Sequence, residues 1–362
     1  MKKVLIVITT GFAACGGLTT VMMNYFRNMD RSGLQIDFAS INEVDEESLA
    51  ELHAAGSRYF NLGDRKKDLP GYMRNLYKLL RREKYDVLHV NGNSATMAFD
   101  LLPGCACRVP VRIAHGHTTK SSYPKAHKIL WPLFKRSYTH GIVTSTAAGD
   151  WLFVRDYTVM NNAIDIGHYG FSQEARDRVR KEYGLEDKFV VGNVGKLNPP
   201  KNHTFLLDIF KEILSRRDNA VLMIAGGGET EGALRQKCKD LGIEDSVIFL
   251  GMLDDTSDVL QAFDVFVFTS KFEGLGMVLI EAQAAGLECL SSDVVPFETR
   301  VSDHIRYMSL DESAEAWAQA TLAIPPFDRV THGATAAESI KTHGYDIRYE
   351  AGKLEAIYRG KG

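Results

Sequence analysis

Residues 268–286 read FTSKFEGLGMVLIEAQAAG, and this stretch decides the fold of the chain. The apolar run 265–268 is short and made of β-branched and aromatic residues, which is typical of a buried strand. A glycine-rich turn follows, and the apolar stretch after it ends at Gly286, as a helix with a C-terminal glycine cap does. The sequence therefore predicts a strand, a tight turn with Glu273 and a helix with Glu281.

The predicted turn is a candidate anion site. A helix N-terminus favours phosphate because its first N–H groups lack partners and its dipole is positive there. A carboxylate on either side of that site adds acceptors for the hydroxyls of a sugar or a ribose. A nucleotide-sugar fits both requirements, whereas the alternative is that Glu273 and Glu281 are ordinary solvated charges.

Strand-like runs alternate with helix-length segments along the rest of the chain, which favours parallel sheets wound by right-handed crossovers. Two sets of about five strands predict two doubly wound α/β domains, each with its ligands at the carboxyl ends of the strands. The predicted strands are residues 4–8, 36–39, 87–90, 111–115 and 142–145, then 189–194, 221–225, 247–250, 265–269 and 288–291.

The spacing of the two glutamates, within Ser-x-x-Glu-Gly-x-Gly and Glu-Ala-x-Ala-x-Gly, resembles the donor signature of the retaining family-4 glycosyltransferases. The resemblance implies the GT-B fold, two facing Rossmann-like domains with an interdomain cleft. It implies that Glu273 binds hydroxyls of the donor sugar and Glu281 the ribose. Four further donor-binding candidates lie in the turn: Gly274, Leu275, Gly276 and Met277.

The domain boundaries follow from the same resemblance. Residues 162–165 resemble the interdomain Asn-Gly-Ile-Asp of the family, which places an acceptor-binding domain at residues 1–165. Residues 166–344 then form the nucleotide-sugar domain, and a helix within 345–362 packs back on the first domain.

Residues 191–203 read VGNVGKLNPPKNH and are not a P-loop, since Val190 stands where that motif needs glycine. They resemble the Gly-Arg-Leu…Lys-Asn segment of the family, which implies that Lys196 and Lys201 bind the donor diphosphate. Lys196 departs from the usual arginine, and a lysine meets phosphate as a point charge rather than with two parallel bonds. As the diphosphate leaves it gains negative charge, so fixed cations lower the barrier.

Other glycine-rich turns supply the remaining donor-binding candidates. Gly16-Gly17 follows the first strand, where a tight strand-to-helix turn is the alternative explanation. Gly195 precedes Lys196, Gly227 ends a predicted strand, and Leu250 precedes the loop that lies under the base in the resembled family.

His117 is the candidate of the first domain, near the end of the strand 111–115. The matching family position carries a histidine beside the reacting carbon of the donor sugar, and His117 fits that position better than His115. Two histidines two positions apart, with no cysteine or acidic residue nearby, are a poor metal site. The sequence has no Asp-x-Asp, so we expect transfer without a metal or cofactor.

Composition and charge add further limits. A formal net charge of −3 gives no overall attraction to nucleic acid. Five cysteines without zinc or disulfide spacing fit a reducing cytoplasm, and the N-terminal apolar run is shorter than a signal peptide needs. No run approaches the roughly 18 apolar residues of a membrane span.

Charge is nevertheless segregated on the first domain. Residues 65–84 carry eight Lys or Arg, with Tyr72, Leu76, Leu79 and Leu80 predicted on the buried side of a helix. Residues 101–149 contain no Asp or Glu. Basic residues beside interfacial aromatics suit an anionic membrane surface, although a solubilising face is the alternative. The aromatic candidates are Tyr123, Trp131 and Phe134.

The sequence thus predicts a retaining glycosyltransferase that moves a sugar, from a UDP-sugar, to a saccharide or lipid-linked saccharide in surface polysaccharide biosynthesis. The Gly-Gly-Leu sequence near the N-terminus and the sequence His-Gly-His-Thr most resemble those of capsule and exopolysaccharide glycosyltransferases. We expect it in the cytoplasm, at the inner face of the membrane. Two alternatives remain: a nucleotide-sugar 2-epimerase of the same fold, and a non-catalytic nucleotide-sugar-binding protein.

Overall fold

The computed structural model describes residues 1–12, 17–119, 121, 123–153 and 155–361. The backbone forms two compact units: unit 1 contains Met1–Ala163 together with Ile347–Gly362, and unit 2 contains Ile164–Asp346. The chain therefore leaves unit 1 once and returns to it for a single helix.

Unit 1 is built on a parallel sheet with the order β3-β2-β1-β4-β5-β6-β7 among the described residues. Its strands are β1 (Lys2–Ile8), β2 (Leu34–Ser40), β3 (Tyr59–Asn61), β4 (Val87–Gly92), β5 (Val111–Gly116), β6 (His140–Val143) and β7 (Tyr157–Val159). Its helices are α1 (Gly17–Asn28), α2 (Glu46–Ala54), α3 (Leu69–Glu83), α4 (Ala98–Ala106), α5 (Pro124–Ser137), α6 (Thr146–Leu152) and α15 (Ile347–Arg359).

Unit 2 is built on a second parallel sheet, with the order β10-β9-β8-β11-β12-β13. Its strands are β8 (Phe189–Val194), β9 (Ala220–Ala225), β10 (Val247–Gly251), β11 (Val265–Phe268), β12 (Cys289–Ser292) and β13 (Ile305–Met308). Its helices are α7 (Ile166–Tyr169), α8 (Gln173–Glu182), α9 (His203–Leu214), α10 (Glu231–Leu241), α11 (Ser257–Ala262), α12 (Met277–Ala284), α13 (Ala314–Leu322) and α14 (Arg329–Thr342).

Each sheet separates two apolar cores. In β1, Val4 and Ile6 belong to the core beneath α1 and α15, whereas Leu5 and Val7 belong to the core beneath α3, α4 and α5. Side chains of a strand point alternately to its two faces, so a strand buried on both faces reads as a continuous apolar run. The wholly apolar sequence of residues 4–8 is explained by this double burial.

Three strands were not predicted from the sequence: β3, β7 and β13. Each lies at an edge of its sheet and has only three or four residues. Short edge strands are partly exposed and carry little apolar pattern, so the prediction of five strands per domain was too low.

The amphipathic prediction for α3 is confirmed, since Tyr72, Leu76, Leu79 and Leu80 are buried. The prediction of interfacial aromatics is partly wrong, because Phe134 is fully buried in the core and the Trp131 indole donates a hydrogen bond to Leu152 O. Of the three aromatic residues, Tyr123 is exposed.

None of the described helices combines the length and the apolar character that crossing a membrane requires.

Candidate active site

The carboxylate of Glu273 lies at the carboxyl ends of β8 and β11. The Lys201 ammonium is 2.5 Å from its Oε1, and the Ser270 hydroxyl donates to the same oxygen at 2.6 Å. Both charged side chains are mostly buried, with exposed fractions of 21% for Lys201 and 10% for Glu273. The structure thus brings together two of the predicted catalytic residues in one ion pair.

The turn after β11 has the geometry that the sequence predicts. Gly276 caps α12 with a φ of +90°, in the left-handed region that disfavours side chains, and its Cβ position would lie 3.7 Å from Glu273 Cγ. Because the cap residue is glycine, it has no side chain to bond the first helical amides. The Leu279 amide donates to Gly276 O at 2.9 Å, so the amides of Met277 and Val278 are the ones that can bind an anion beside the Glu273 carboxylate.

Two glycine loops hold the segment that carries Lys201. A Cβ at Gly226 would lie 2.0 Å from Gly195 O, and a Cβ at Gly228 would lie 2.2 Å from Leu197 O. The loops also share a backbone hydrogen bond, from Leu197 N to Gly227 O at 3.0 Å. This backbone-to-backbone packing fixes the path of the chain toward Lys201.

The other predicted residues of unit 2 are spread around this centre. The Lys196 side chain is exposed, in contrast to that of Lys201. Gly227 faces the side chain of Met252, an exposed residue that follows β10, and Leu250 packs against the core of unit 2. Leu275 and Met277 pack against a smaller apolar cluster around Ile280.

Glu281 lies one turn into α12, close to Tyr169 at the end of α7. Burial, followed by the negative charge of Asp255, raises the pKa of Glu281 to about 7, against an opposing effect of Tyr169. The Glu281 carboxyl therefore holds its proton at a higher pH than an exposed glutamate does.

His117, in unit 1, follows β5 directly. Its Nε2 is 3.0 Å from Asn91 Oδ1, and its ring stacks on His115 with centroids 4.1 Å apart. Burial lowers the pKa of His117 to about 3, so the imidazole is neutral at physiological pH. With Asn91 Oδ1 as acceptor, Nε2 carries the proton, and Nδ1 has no hydrogen bond within the described part of the chain.

A row of buried side chains continues from His117 into the core. His89 Nε2 is 3.2 Å from His115 Nδ1, and His89 Nδ1 is 2.6 Å from the hydroxyl of Tyr358 in α15. Burial, together with repulsion from His117, lowers the pKa of His89 to about 3. We call His89, His115 and His117 the histidine row; α15 supports one end of it.

In the Gly16-Gly17 turn, Gly16 lies outside the described residues. Gly17 is the first residue of α1, and no heavy atom of the described residues comes within 4 Å of the position of its Cβ.

Sequence reasoning missed Asn91 and Tyr169. Asn91 is the penultimate residue of β4, which neighbours β5 in the sheet, and it pairs with His115. A polar residue at the end of a predicted central strand is a signal that could have identified Asn91. Tyr169 lies in a four-residue helix far from Glu281 in the sequence, and no sequence pattern marks it.

One group of side chains in the described ranges has the geometry of a metal site: Glu288, His304 and His332. Glu288 and His304 precede β12 and β13, at the amino ends of these strands. This group therefore lies at the opposite edge of the sheet from Lys201 and Glu273.

Comparison with known proteins identifies the family. Residues 175–324 match the family model described as "Glycosyl transferases group 1", and residues 15–167 match the model "Glycosyltransferase Family 4". The two models lie one after the other and match most of the chain.

Relatives and solved structures agree with these matches. The chain is 27% identical to "Putative glycosyltransferase EpsF" of Bacillus subtilis (strain 168), covering 95% of this chain and 93% of that protein. It is 28% identical to the Escherichia coli "UDP-Gal:alpha-D-GlcNAc-diphosphoundecaprenol alpha-1,3-galactosyltransferase", over 61% of each protein. The crystal structure of Anabaena Alr3699/HepE in complex with UDP has a TM-score of 0.79 at 19% identity, covering 99% of this chain and 100% of that one.

Two all-parallel, Rossmann-like sheets with these structural neighbours define a GT-B glycosyltransferase fold, as the sequence predicted. The resemblance found in the sequence is thereby confirmed. The chain belongs to the glycosyltransferases that the group 1 and family 4 models describe.

Proposed function

We propose that this glycosyltransferase transfers a sugar from a UDP-sugar to a hydroxyl of a saccharide or lipid-linked saccharide, with retention of configuration. The observation that carries the proposal is the ion pair between Lys201 and Glu273 beside the amides that begin α12. A cation, a carboxylate and free amides in one place match a diphosphate that bears a sugar.

Each group has a chemical role in this proposal. The ammonium of Lys201 has three N–H donors, and one of them meets Glu273, so the others are available to the diphosphate. The Glu273 carboxylate accepts hydrogen bonds from sugar hydroxyls. Because Lys201 and the α12 amides are held in place before the donor arrives, they stabilise the leaving diphosphate without reorganisation.

The assignment of UDP rests on the relatives. Alr3699/HepE was crystallised with UDP and with UDP-glucose, and the E. coli relative is named for UDP-Gal. We assign Glu281 to the ribose hydroxyls, where its proximity to Tyr169 keeps the carboxyl oriented. The proposal of a lipid-linked acceptor is supported by the diphosphoundecaprenol in the name of the same relative.

Retention is proposed through attack on the face from which the leaving group departs. The acceptor oxygen bonds to the anomeric carbon as the bond from that carbon to the diphosphate oxygen breaks. The acceptor proton passes to the departing phosphate oxygen, so no side-chain nucleophile is needed. We assign His117 to the donor sugar; a neutral imidazole does not repel the positive charge that develops on that carbon.

The test is UDP release from a panel of UDP-sugars, with and without a diphosphoundecaprenol-linked saccharide. We expect turnover with one donor, strongly reduced turnover in Glu273→Gln, and unchanged turnover in Lys271→Met, which removes an exposed lysine two positions away. A wild-type chain that neither binds nor hydrolyses any nucleotide-sugar would overturn the proposal. An α-linked product from an α-linked donor supports retention, and a β-linked product contradicts it.

We further propose that unit 1 contacts an anionic membrane surface. Helices α3 and α5 both pack on the core that contains Leu5 and Val7, so they lie on the same face of the sheet. This surface, which we call the basic face, exposes Arg74, Lys78, Arg81, Arg82, Lys125, Lys128, Lys135 and Arg136. Beside these cations α5 exposes Ile129 and Leu133, with exposed fractions of 78% and 40%. Cations beside exposed aliphatic side chains fit the interface of an anionic bilayer.

A further inference from the structure

Glu288, His304 and His332 form a cluster of three potential ligands in unit 2. Glu288 directly precedes β12, His304 directly precedes β13, and His332 lies in the first turn of α14. Their side chains are mostly buried, with exposed fractions of 12%, 16% and 19%. The cluster is therefore not a set of freely moving surface groups.

The distances within the cluster suit one small cation. His304 Nδ1 is 3.2 Å and His332 Nδ1 is 3.7 Å from Glu288 Oε1, and one ligand atom from each residue lies within 4.8 Å of the other two. Ligand atoms at about 2.0–2.1 Å from a tetrahedral zinc ion are about 3.3–3.5 Å apart. The two distances to Glu288 Oε1 therefore lie within a few tenths of an ångström of those in a zinc site.

The backbone holds the ligands in place. A Cβ at Gly286 would lie 2.3 Å from Arg329 O and 3.1 Å from Gly333 N, so the segment before Glu288 touches the start of α14. The buried Arg329 guanidinium donates to the carbonyls of Gln261 and Ala285 at 2.6 Å each. The start of α14, and with it His332, is fixed against the segment that carries Glu288.

The two imidazoles also orient each other. Their rings stack with centroids 3.6 Å apart, and Phe327 stacks on the outer face of His332. His332 Nδ1 is buried and makes no hydrogen bond to the described residues. Buried polar atoms normally have a partner, so a nitrogen directed at Glu288 without a hydrogen bond indicates a group that the polypeptide does not supply.

We propose that Glu288, His304 and His332 bind a divalent transition-metal ion, with Zn²⁺ as the best match. Imidazole and carboxylate suit zinc, copper and nickel, whereas Mg²⁺ and Ca²⁺ prefer oxygen ligands throughout. Three protein ligands leave one position of a tetrahedral ion open for water. The ion would link the loops before β12 and β13 to α14 at the amino ends of the strands, and it takes no part in sugar transfer.

The experiment is calorimetric titration of the metal-free, full-length chain with Zn²⁺ alone, repeated with Co²⁺ while its visible absorption is recorded. We expect a single site whose affinity falls about a hundredfold or more in His304→Ala and in His332→Ala. Zn²⁺ should also raise the thermal midpoint (Tm) of the wild type but not of these variants. The matched control is His343→Ala, which removes an exposed histidine beyond the end of α14 and leaves the affinity unchanged.

Cys105 and Cys107 lack the usual zinc spacing, but they are free thiols of unit 1 and therefore the competing binders that the experiment must exclude. Binding there would survive both histidine variants, disappear in Cys105→Ser/Cys107→Ser, and give Co²⁺ the ultraviolet charge-transfer band of a thiolate. That outcome overturns the proposal, as does a wild type that binds Zn²⁺ no more tightly than His304→Ala/His332→Ala. If that double variant fails to fold, Glu288→Gln replaces it, because it keeps the shape of the side chain.

Discussion

Lys201 and Glu273 form a direct ion pair, Nζ to Oε1 at 2.5 Å, although 72 positions separate them in the sequence. The Lys201 ammonium also lies 5.0 Å from the centroid of the Phe268 ring. An ion pair that is mostly buried holds both side chains in one orientation. The two residues are therefore expected to act as a unit in donor binding.

Lys201→Met should lower kcat by about a hundredfold to a thousandfold while changing KM less, because the charge that Lys201 meets grows as the diphosphate leaves. Glu273→Gln should also lower kcat, and the two effects should not add in the double variant, since each variant disrupts the same pair. Steady-state kinetics with the preferred UDP-sugar measures this. A raised KM with an unchanged kcat in Lys201→Met would show that Lys201 contributes to binding of the donor but does not stabilise the transition state.

Glu281 should make the stability of unit 2 depend on pH. Its pKa is raised to about 7, so the folded protein binds a proton more tightly than the unfolded chain, whose carboxyl has an ordinary value of 4.5. The stability that this group contributes is fully present below pH 4.5 and is lost as pH rises through 7, by about 3 kcal/mol. Urea unfolding of the wild type and of Glu281→Gln should therefore differ more at pH 8 than at pH 5, with Glu281→Gln the more stable at pH 8. Equal differences at both values of pH would contradict the raised pKa.

The histidine row should destabilise unit 1 in mild acid. Burial lowers the pKa of His89 and of His117 to about 3, so the unfolded chain, with values near 6.5, binds protons first. The contribution of these neutral imidazoles to the free energy of unfolding is fully present above pH 6.5. It falls as the pH decreases toward 3, by about 1.4 kcal/mol per pH unit for each imidazole. Urea unfolding between pH 7.5 and pH 5 measures the slope, and His53→Gln, which removes an exposed histidine, should leave it unchanged. Imidazole NMR signals from the row that titrate near pH 6.5 in the folded protein would refute this account.

Gly226→Ala should cost about 3 kcal/mol or more of unfolding free energy. The new Cβ would lie 2.0 Å from Gly195 O, a backbone atom, and the residue has a φ of +143°. Displacing that loop should also weaken UDP binding, because the same loop leads to Lys201. Gly232→Ala is the matched control: its Cβ meets nothing within 4 Å, and it lies in α10, so it should be neutral or slightly stabilising. Thermal unfolding measures the loss of stability, and calorimetry with UDP measures the loss of binding.

The basic face should bind anionic vesicles and should not bind neutral vesicles. Four cations near the surface contribute several kcal/mol at low salt, about 1 kcal/mol each, and less as the screening length shortens to ~8 Å. Replacing Arg81, Arg82, Lys128 and Lys135 by Ser removes half of the cations of the basic face and should reduce sedimentation with phosphatidylserine vesicles. A control that replaces Lys181, Lys188, Lys211 and Lys239, which are exposed on unit 2, removes the same charge and should leave binding intact. Equal binding to anionic and neutral vesicles would show that the face is only a solvated surface.

The sequence predicts the elements whose apolar patterns are long and locally complete. The strand β11, its turn and α12 are visible within residues 265–286, and the buried side of α3 follows from helical spacing alone. The edge strand β13 was not predicted, because a strand at the edge of a sheet is defined by pairing with one neighbour and carries little apolar pattern of its own.

Contacts between distant segments could not be predicted in the same way. The bond between Tyr358 and His89 spans 269 positions, and the pairing of Tyr169 with Glu281 depends on how α7 meets α12. Neither contact leaves a periodic pattern, because both follow from tertiary packing. The roles of the site residues themselves stay predictions until variants are measured.

The position of α15 in unit 1 has a consequence for biosynthesis. Residues 347–359 are translated after all of unit 2, yet Ile347, Leu354 and Tyr358 belong to the same core as Met22 and Phe26 of α1. During synthesis on the ribosome, the apolar surface of unit 1 that α15 covers therefore stays exposed until the whole of unit 2 has been translated. Unit 1, which is translated first, can complete its core only after unit 2 has been translated.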